Sequence, residues 1–324
     1  MSRILASNVL ANGLRTEFAD TYGVIRNRQA DSRLGDVMDL GIGATNRQHE
    51  FAYFKAAPHM TYWPRGDSIP TDAMDSVQFT VPIYEWARRV PWSKFDREDD
   101  QTQSLFDMAR MAGESAALLP ERFFFDLIQG STSTLPAVPL APDGVAFFNN
   151  ATRFGAANGN SLTGGGVTTT AQILTDYYTV LEQFMAFQDG KGQPLLSPET
   201  IAAGTIIIHP SGLTEIFEEA FLMRRQIGTG GSTPSNIVQD ASRTVSLWGT
   251  PRLTDVNDWF VFLKAAPKQA AFMLNRKGVQ EFSSLEGDNN GDHTRNTGEE
   301  YVQWEERSGA GIALPYAAIE VTNT

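Results

Sequence analysis

The sequence predicts a mixed α+β fold, and three observations carry that prediction. Segments in the middle of the chain repeat apolar residues at steps of three and four, the spacing of one helix face. Alternating or continuous β-branched and aromatic runs gather before residue 93 and again after residue 244. Helices and strands are therefore grouped and not interleaved as βαβ units, which argues against a doubly wound parallel sheet.

The totals narrow the classes. At 324 residues and 41% hydrophobic content the chain can bury one elaborate domain or two ordinary ones. Twenty-six basic against 38 acidic residues give a formal charge of −12. That charge repels phosphate and removes the general electrostatic term for nucleic-acid binding. The absence of cysteine excludes disulfides, thiolate metal sites and cysteine nucleophiles. The opening MSRILASNVLANGLRTEF lacks a signal-peptide apolar core, and no apolar run approaches the roughly 18 residues of a membrane span. The expectation is a soluble intracellular product with no membrane partner.

Residues 1–50 read as an arm, with GDVMDLGIGATNRQHE loop-like in its glycines. Between Glu50 and Trp92, EFAYFKAA and SVQFTVPIYEWARRVPW flank a turn-rich segment, and Val77, Phe79, Val81 and Ile83 alternate. Period two predicts an extended hairpin with one apolar face, and Pro82 and Pro91 place its strands at exposed edges. Two strands alone cannot bury the aromatic residues Tyr53, Phe54, Trp63, Phe79, Tyr84 and Trp86. Either a third element covers them or another subunit does; the loop-rich surroundings favour another subunit, which makes these six candidates for a subunit interface.

Next, FDREDDQTQ precedes a run in which Leu105, Met108, Ala109, Ala112, Ala116 and Leu119 recur at helical steps. The small apolar face predicts close packing along a helix from about 101 to 130, roughly 44 Å at 1.5 Å per residue, with a break at Pro120. Residues 131–170 are rich in Ser, Thr, Gly, Asn and Pro and read as a functional loop or a segment ordered by a neighbouring subunit. Ile173, Leu174, Tyr177, Tyr178, Leu181, Phe184 and Met185 then mark a second helix, stopped by DGKGQP. TIIIHP reads as a short buried strand, and Ser211 as the cap of a helix carrying Ile216, Phe217, Ala220 and Phe221. RRQIGTGGSTPSNIVQDASRT is a second loop; strands close the chain in TVSLWGTPRL, DWFVFLKAA, QAAFMLNRK, EEYVQWEER and GIALPYAAIEV.

Motifs for chemistry are missing. The four histidines, His49, His59, His209 and His293, never fall two to a helix face, so no metal site is expected from them. No nucleophile elbow, phosphate loop or dinucleotide fingerprint is present, and no cofactor is expected. DNNGDHTRNTGE places Asp288, Asn290, Asp292, Thr294, Asn296 and Glu299 at the donor positions of a calcium loop. His293 stands where that loop needs glycine, so an acidic surface loop is the better reading. In FDREDDQTQ, Asp99 or Asp100 fits a helix cap whose carboxylates complement the dipole, each worth about 0.3–1 kcal/mol. Asp99 and Asp100 are also interface candidates, able to meet Arg88, Arg89 or a neighbour's arginine. The enzymatic alternative is a hydrolase in which the acids of 96–100 line a cleft with Glu114 or Glu121.

Four fragments in order, WARRVPWSKFDREDDQTQSLFDMARMAGESAALLPERFFFDLIQGS, PDGVAFFNNATRFG, FQDGKGQPLLSPETIAAGTIIIHPSGLTEIFEEAF and DWFVFLKAAPKQAAFMLNRK, resemble the major head subunit of Mu-like phages and prophages. The resemblance covers about residues 50–280. It implies a major capsid protein of the Hong Kong 97-type fold, with an N-terminal arm at 1–50 and an extended loop at 51–98. A peripheral domain with a long spine helix would occupy 99–169 and an axial domain 170–298, with C-terminal strands at 299–324 returning to the peripheral domain. It further implies self-assembly into hexamers and pentamers of an icosahedral shell, a virion location after synthesis in the bacterial cytoplasm, and no enzymatic activity. The implied partners are a separate scaffold, a portal, decoration proteins, and packaged double-stranded DNA bound without sequence preference. Residues 281–306, with eight acids and one arginine for a net of −7, are a candidate solvent- or DNA-facing surface. A tail or decoration protein is the alternative virion role.

Overall fold

The structure, a computed structural model, describes residues 2–30, 33–54, 62–63, 68, 76–93, 104–150, 152–153, 159–222, 244–285 and 296–323. The acidic cluster at 96–100 with Asp99 and Asp100, nearly all of the loop at 224–244, and residues 286–295 lie outside them.

Residues 1–50 hold regular structure: helices α1 (Ser2–Ala30) and α2 (Arg33–Val37), then strands β1 (Met38–Gly43) and β2 (Gln48–Phe54). GDVMDLGIGATNRQHE is thus mostly helix and strand, because β1 finds a parallel partner whose backbone outweighs its glycines. Strand β2 pairs antiparallel with β3 (Ser76–Pro82), Gln48 opposite Pro82 and Phe54 opposite Ser76, in a hairpin that uses only the first half of the expected second strand SVQFTVPIYEWARRVPW; its second half pairs in another sheet. Strand β4 (Tyr84–Ser93) follows.

The long middle helix is two helices, α3 (Ser104–Ala117) and α4 (Leu119–Gln129), divided at Leu118 with Pro120 in the first turn of α4. Proline lacks the amide that an unbroken ladder needs and is tolerated at a helix start. Four further strands and three helices precede the long pair of strands: β5 (Ser161–Thr163), α5 (Thr170–Ala186), α6 (Pro198–Ala202), β6 (Thr205–Pro210), α7 (Thr214–Phe221), β7 (Val245–Thr250) and β8 (Trp259–Leu263). The long pair is β9 (Ala271–Ser284) and β10 (Glu299–Ile312), and β11 (Ala318–Thr322) ends the chain. A capping box, Thr169 with Gln172, starts α5. Ser211 does not cap α7; it opens a turn of 3-10 helix, and its carbonyl accepts from the Thr214 hydroxyl.

Two sheets organise these elements. The first has the order β1-β9-β10-β4 and the second β5-β11-β8-β6-β7. GIALPYAAIEV is accordingly split: β10 finishes at Ile312 in the first sheet, and β11 pairs with β8 in the second. Residues 299–322 therefore contribute to both sheets.

Helix α4 is buried all round, as Phe123, Phe124 and Phe125 are at most 3% exposed. Phe123 packs against Trp86, Phe124 stacks on Trp248 at 5.9 Å, and Phe124 meets Phe262 at 5.5 Å. Strands β6 and β8 alternate between two cores. Ile206, Ile208, Phe260 and Phe262 join the α4 core, while Ile207, Trp259, Val261 and Leu263 face α5 and α7. Burial on both faces is why TIIIHP reads as a continuous apolar run. A third core packs α1 and α3 over β4 and β10, with Phe18 stacked on Trp304 at 4.2 Å. At that crossing a Cβ on Gly113 would lie 2.7 Å from the Phe18 carbonyl oxygen, so the small face of α3 is a requirement of backbone contact.

The loop after α4 is held by its own chain. Leu135, Ala141 and Phe147 are buried, and Arg153 pairs with Asp143 at 2.6 Å inside the protein. The guanidinium also donates to the Phe147 and Ala146 carbonyls and to Asn160 Oδ1. The Asn160 amide in turn donates to carbonyls of Phe147, Pro315 and Ala318, tying the loop to the chain end. Removing one partner of such a pair leaves an uncompensated charge, so Arg153→Leu should destabilise the unassembled subunit by about 3–5 kcal/mol. Urea unfolding measures it; a loss below about 1 kcal/mol would show that the node is not structural.

Candidate assembly surface

The predicted interface residues sit in two places. Phe79 on β3 is half-buried and stacks on Phe51 at 5.3 Å, which in turn meets Phe272 of β9 at 4.8 Å. Tyr53 and Phe54 stand opposite Val77 and Ser76 in the hairpin ladder. Trp63, in the segment joining the two strands, is half exposed, and its neighbour Tyr62 is 89% exposed. Tyr84 and Trp86 lie on β4, partly covered by the α4 core of their own chain, and the Trp86 indole donates to the Ser308 carbonyl at 3.0 Å. An intramolecular element thus covers much of Tyr84 and Trp86, the less favoured of the two expectations for them. Asp99 and Asp100 lie outside the described residues.

A feature that sequence reasoning missed joins the hairpin to the body. Val81, Ile83, Ala44, Phe272 and Leu274 form a small core at its root. The chain turns there over β10, and a Cβ on Gly309 would run into the Pro82 carbonyl oxygen. Glycine inside an otherwise regular strand signals this kind of close backbone approach, so SGAG in β10 carried the information. Backbone bonds from Ile83 to the Arg47 carbonyl (3.0 Å) and from Ala44 to the Asn275 carbonyl (3.1 Å) complete the attachment.

The outer part of the first sheet is a ladder of paired charges. Arg89 lies 4.0 Å over the Tyr301 ring and donates to Gln303, Arg307 meets Glu85 at 2.6 Å, and Arg15 of α1 meets Glu281. Exposed pairs of this kind contribute at most about 1 kcal/mol each, so they set register and surface character more than stability. The buried Trp92 indole donates to Glu300 at 2.7 Å across the β4–β10 ladder.

Catalytic chemistry finds no assembled site among the described residues. No group of three or more His, Asp or Glu could hold a metal ion there, and no described helix is long and apolar enough to cross a membrane. His209 is a core residue: 1% exposed, stacked on Phe217 at 4.5 Å, its Nδ1–H donating to the Pro210 carbonyl. Burial lowers its pKa below the ordinary histidine value. Glu121, an acid of the hydrolase reading, is engaged by Arg252 at 2.6 Å and fastens α4 to the turn after β7.

A two-sheet body crossed by a broken spine helix, with a hairpin rooted on a glycine, defines a structural subunit of the Hong Kong 97-type fold. Three solved structures share it. The capsid of Myoviridae Phage XM1 aligns with TM-score 0.55 and 14% identity over 90% of each chain. The capsid of an empty GTA particle aligns with TM-score 0.57 and 11% identity, covering 89% of this chain and 88% of that one. The capsid of Cyanophage P-SCSP1u aligns with TM-score 0.54 and 13% identity, covering 88% and 87%. A family model described as phage capsid protein matches residues 77–319, and the chain belongs to that family. It is a phage capsid protein, a structural component of the virion. No curated protein matches the chain.

The Gly309 crossing is testable. Gly309→Val should loosen the hairpin root, seen as faster hydrogen exchange at 76–83 and a stability loss of about 1–3 kcal/mol. Gly278→Ala on β9, where an added Cβ meets open space, should leave both unchanged and serves as the control.

Proposed function

We propose that the chain assembles with copies of itself into hexameric and pentameric capsomers, which close into an icosahedral shell around double-stranded DNA. The observation that carries this reading is the hairpin β2–β3. Its root and, through Phe51 on Phe272, its middle pack on the body, and the exposed aromatic residues Tyr62 and Trp63 stand in the segment joining its strands. In a ring of heterologous contacts each such element reaches a neighbour, and many modest interfaces add up. Trp63 and Phe79 are the hairpin contacts proposed here, with Tyr53 and Phe54 beside them. The uncovered parts of Tyr84 and Trp86, with Asp99 and Asp100, form a second contact near Arg88 and Arg89.

The division into arm, extended loop, peripheral and axial parts is proposed with it. Sheet membership supports drawing the parts by pairing: the first sheet with α3 and α4 as the peripheral body, the second with α5, α6 and α7 as the axial one. On that division β9 and β10 go with the peripheral body and β11 with the axial one. Within the family, the four ordered fragments support a place among the Mu-like head subunits. A separate scaffold, a portal and decoration proteins are the further partners proposed. The net charge of −12 suits a wall that does not hold the packaged DNA.

Deleting residues 61–75 should leave a folded subunit with unchanged circular dichroism and abolish shells in negative-stain microscopy with co-expressed scaffold. Normal shells from that deletion would sink the assignment of the hairpin.

A further inference from the structure

The third core contains a polar node that hydrophobic packing does not explain. Glu306 on β10 is 5% exposed, and its Oε1 has no hydrogen-bond partner among the described residues. Arg26 of α1 is the counter-charge acting on it, yet among the described residues Arg26 Nη1 is also unpartnered, and Nη2 donates to Met273 Sδ at 3.5 Å. Ser308 Oγ lies close enough to act on the Glu306 carboxylate but makes no hydrogen bond of full geometry among the described residues. Glu306 sits where the β9–β10 register slips, between the Glu305–Gln280 and Arg307–Lys277 pairs. A cavity of about 360 Å³ opens beside it, walled by Phe18, Trp86 and Trp304.

Helix α1 covers this node and is tied down beside it by the pairs Arg15–Glu281 and Glu17–Arg110. It has no pronounced apolar face; among its described side chains only Ala11, Leu14 and Phe18 are buried, and it packs chiefly along α3. A buried carboxylate without a full set of partners opposes the burial that the rest of the contact favours.

We propose that α1 is a displaceable strap, seated on the first sheet through Phe18 on Trp304, and that the charge on Glu306 beneath it sets how firmly it is seated. The groups around Glu306 are Tyr22 and Arg26 from α1, Ser308 and Glu305 from β10, Arg88 from β4 and Arg122 from α4, the last two lining the cavity. Burial raises the Glu306 pKa above the ordinary carboxylate value, against the opposing pull of Arg26 and of the Ser308 hydroxyl. Tyr22 is raised as well, first by burial and then by the charge of Glu306.

A carboxyl raised in the docked form takes up a proton on docking. Seating is therefore firmest in acid, below the free carboxylate pKa of about 4.3, and weakens as the pH rises through the docked value of Glu306. Undocking uncovers Leu14, Phe18 and the face of Trp304, and nothing in it requires assembly.

Hydrogen exchange of the full-length unassembled subunit, corrected for the intrinsic pH dependence of exchange, tests this between pH 5 and 8. Amides of residues 10–22 should lose protection as the pH rises in the wild type, and Glu306→Gln should flatten that profile. A flat wild-type profile, or the same slope in Glu306→Gln, overturns the proposal. Should Glu306→Gln fail to fold, Arg26→Met supplies the decision. Loss of the guanidinium should move the midpoint to higher pH, and an unmoved midpoint is the contrary result.

Discussion

Everything else in the subunit is arranged around the burial of three consecutive phenylalanines on α4. A helix can bury Phe123, Phe124 and Phe125 together only if it is enclosed, because successive positions point about 100° apart. Each fully buried ring contributes about 1.5–3 kcal/mol by removal from water, enough to fix the enclosing elements. Trp86 comes from the first sheet, Trp248 and Phe262 from the second. The two sheets share their core around this helix, and the helical ladder breaks at Leu118 because Pro120 stands in the first turn of α4.

The polar interior follows a second rule: irregular segments are kept ordered by satisfying side-chain donors in full. Arg153 and Asn160 bind carbonyls from the loop and from the chain end at once. Asp126, buried at the end of α4, accepts from the Ser131 hydroxyl and the amides of Thr134 and Leu135. Loop 131–150 is thereby tied to the body, with Leu135, Ala141 and Phe147 buried in the α4 core. The node at Glu306 departs from this rule, as does the buried Trp259 indole N–H.

Much of this was legible in the sequence wherever a residue's burial depends on its own element. The apolar steps of α3, α5 and α7, the break at Pro120 and the alternation of β3 all follow from local geometry. What escaped reading depends on distant partners. The arm's β1 is a strand only because β9 lies beside it, and the 131–150 loop is ordered only because Arg153 finds Asp143 and Asn160. Likewise, Gly309 is informative only once Pro82 is known to cross it. Among the interface candidates, the aromatic residues were visible as a class. Which of them the chain covers itself was not, since Trp86 is half-buried through Phe123 and Ser308, far away in sequence.

The glycine under Pro82 has a mechanical side. Seven paired positions in β2–β3 span roughly 24 Å at 3.4 Å per residue, held at the root and again where Phe51 meets Phe272. A tilt of about 10° at the root carries the far end through about 4 Å, close to the spacing of neighbouring strands. The bearing angle of the hairpin is set by how closely two backbones touch at Gly309. The direction in which the hairpin leaves the body thus depends on one missing methyl group.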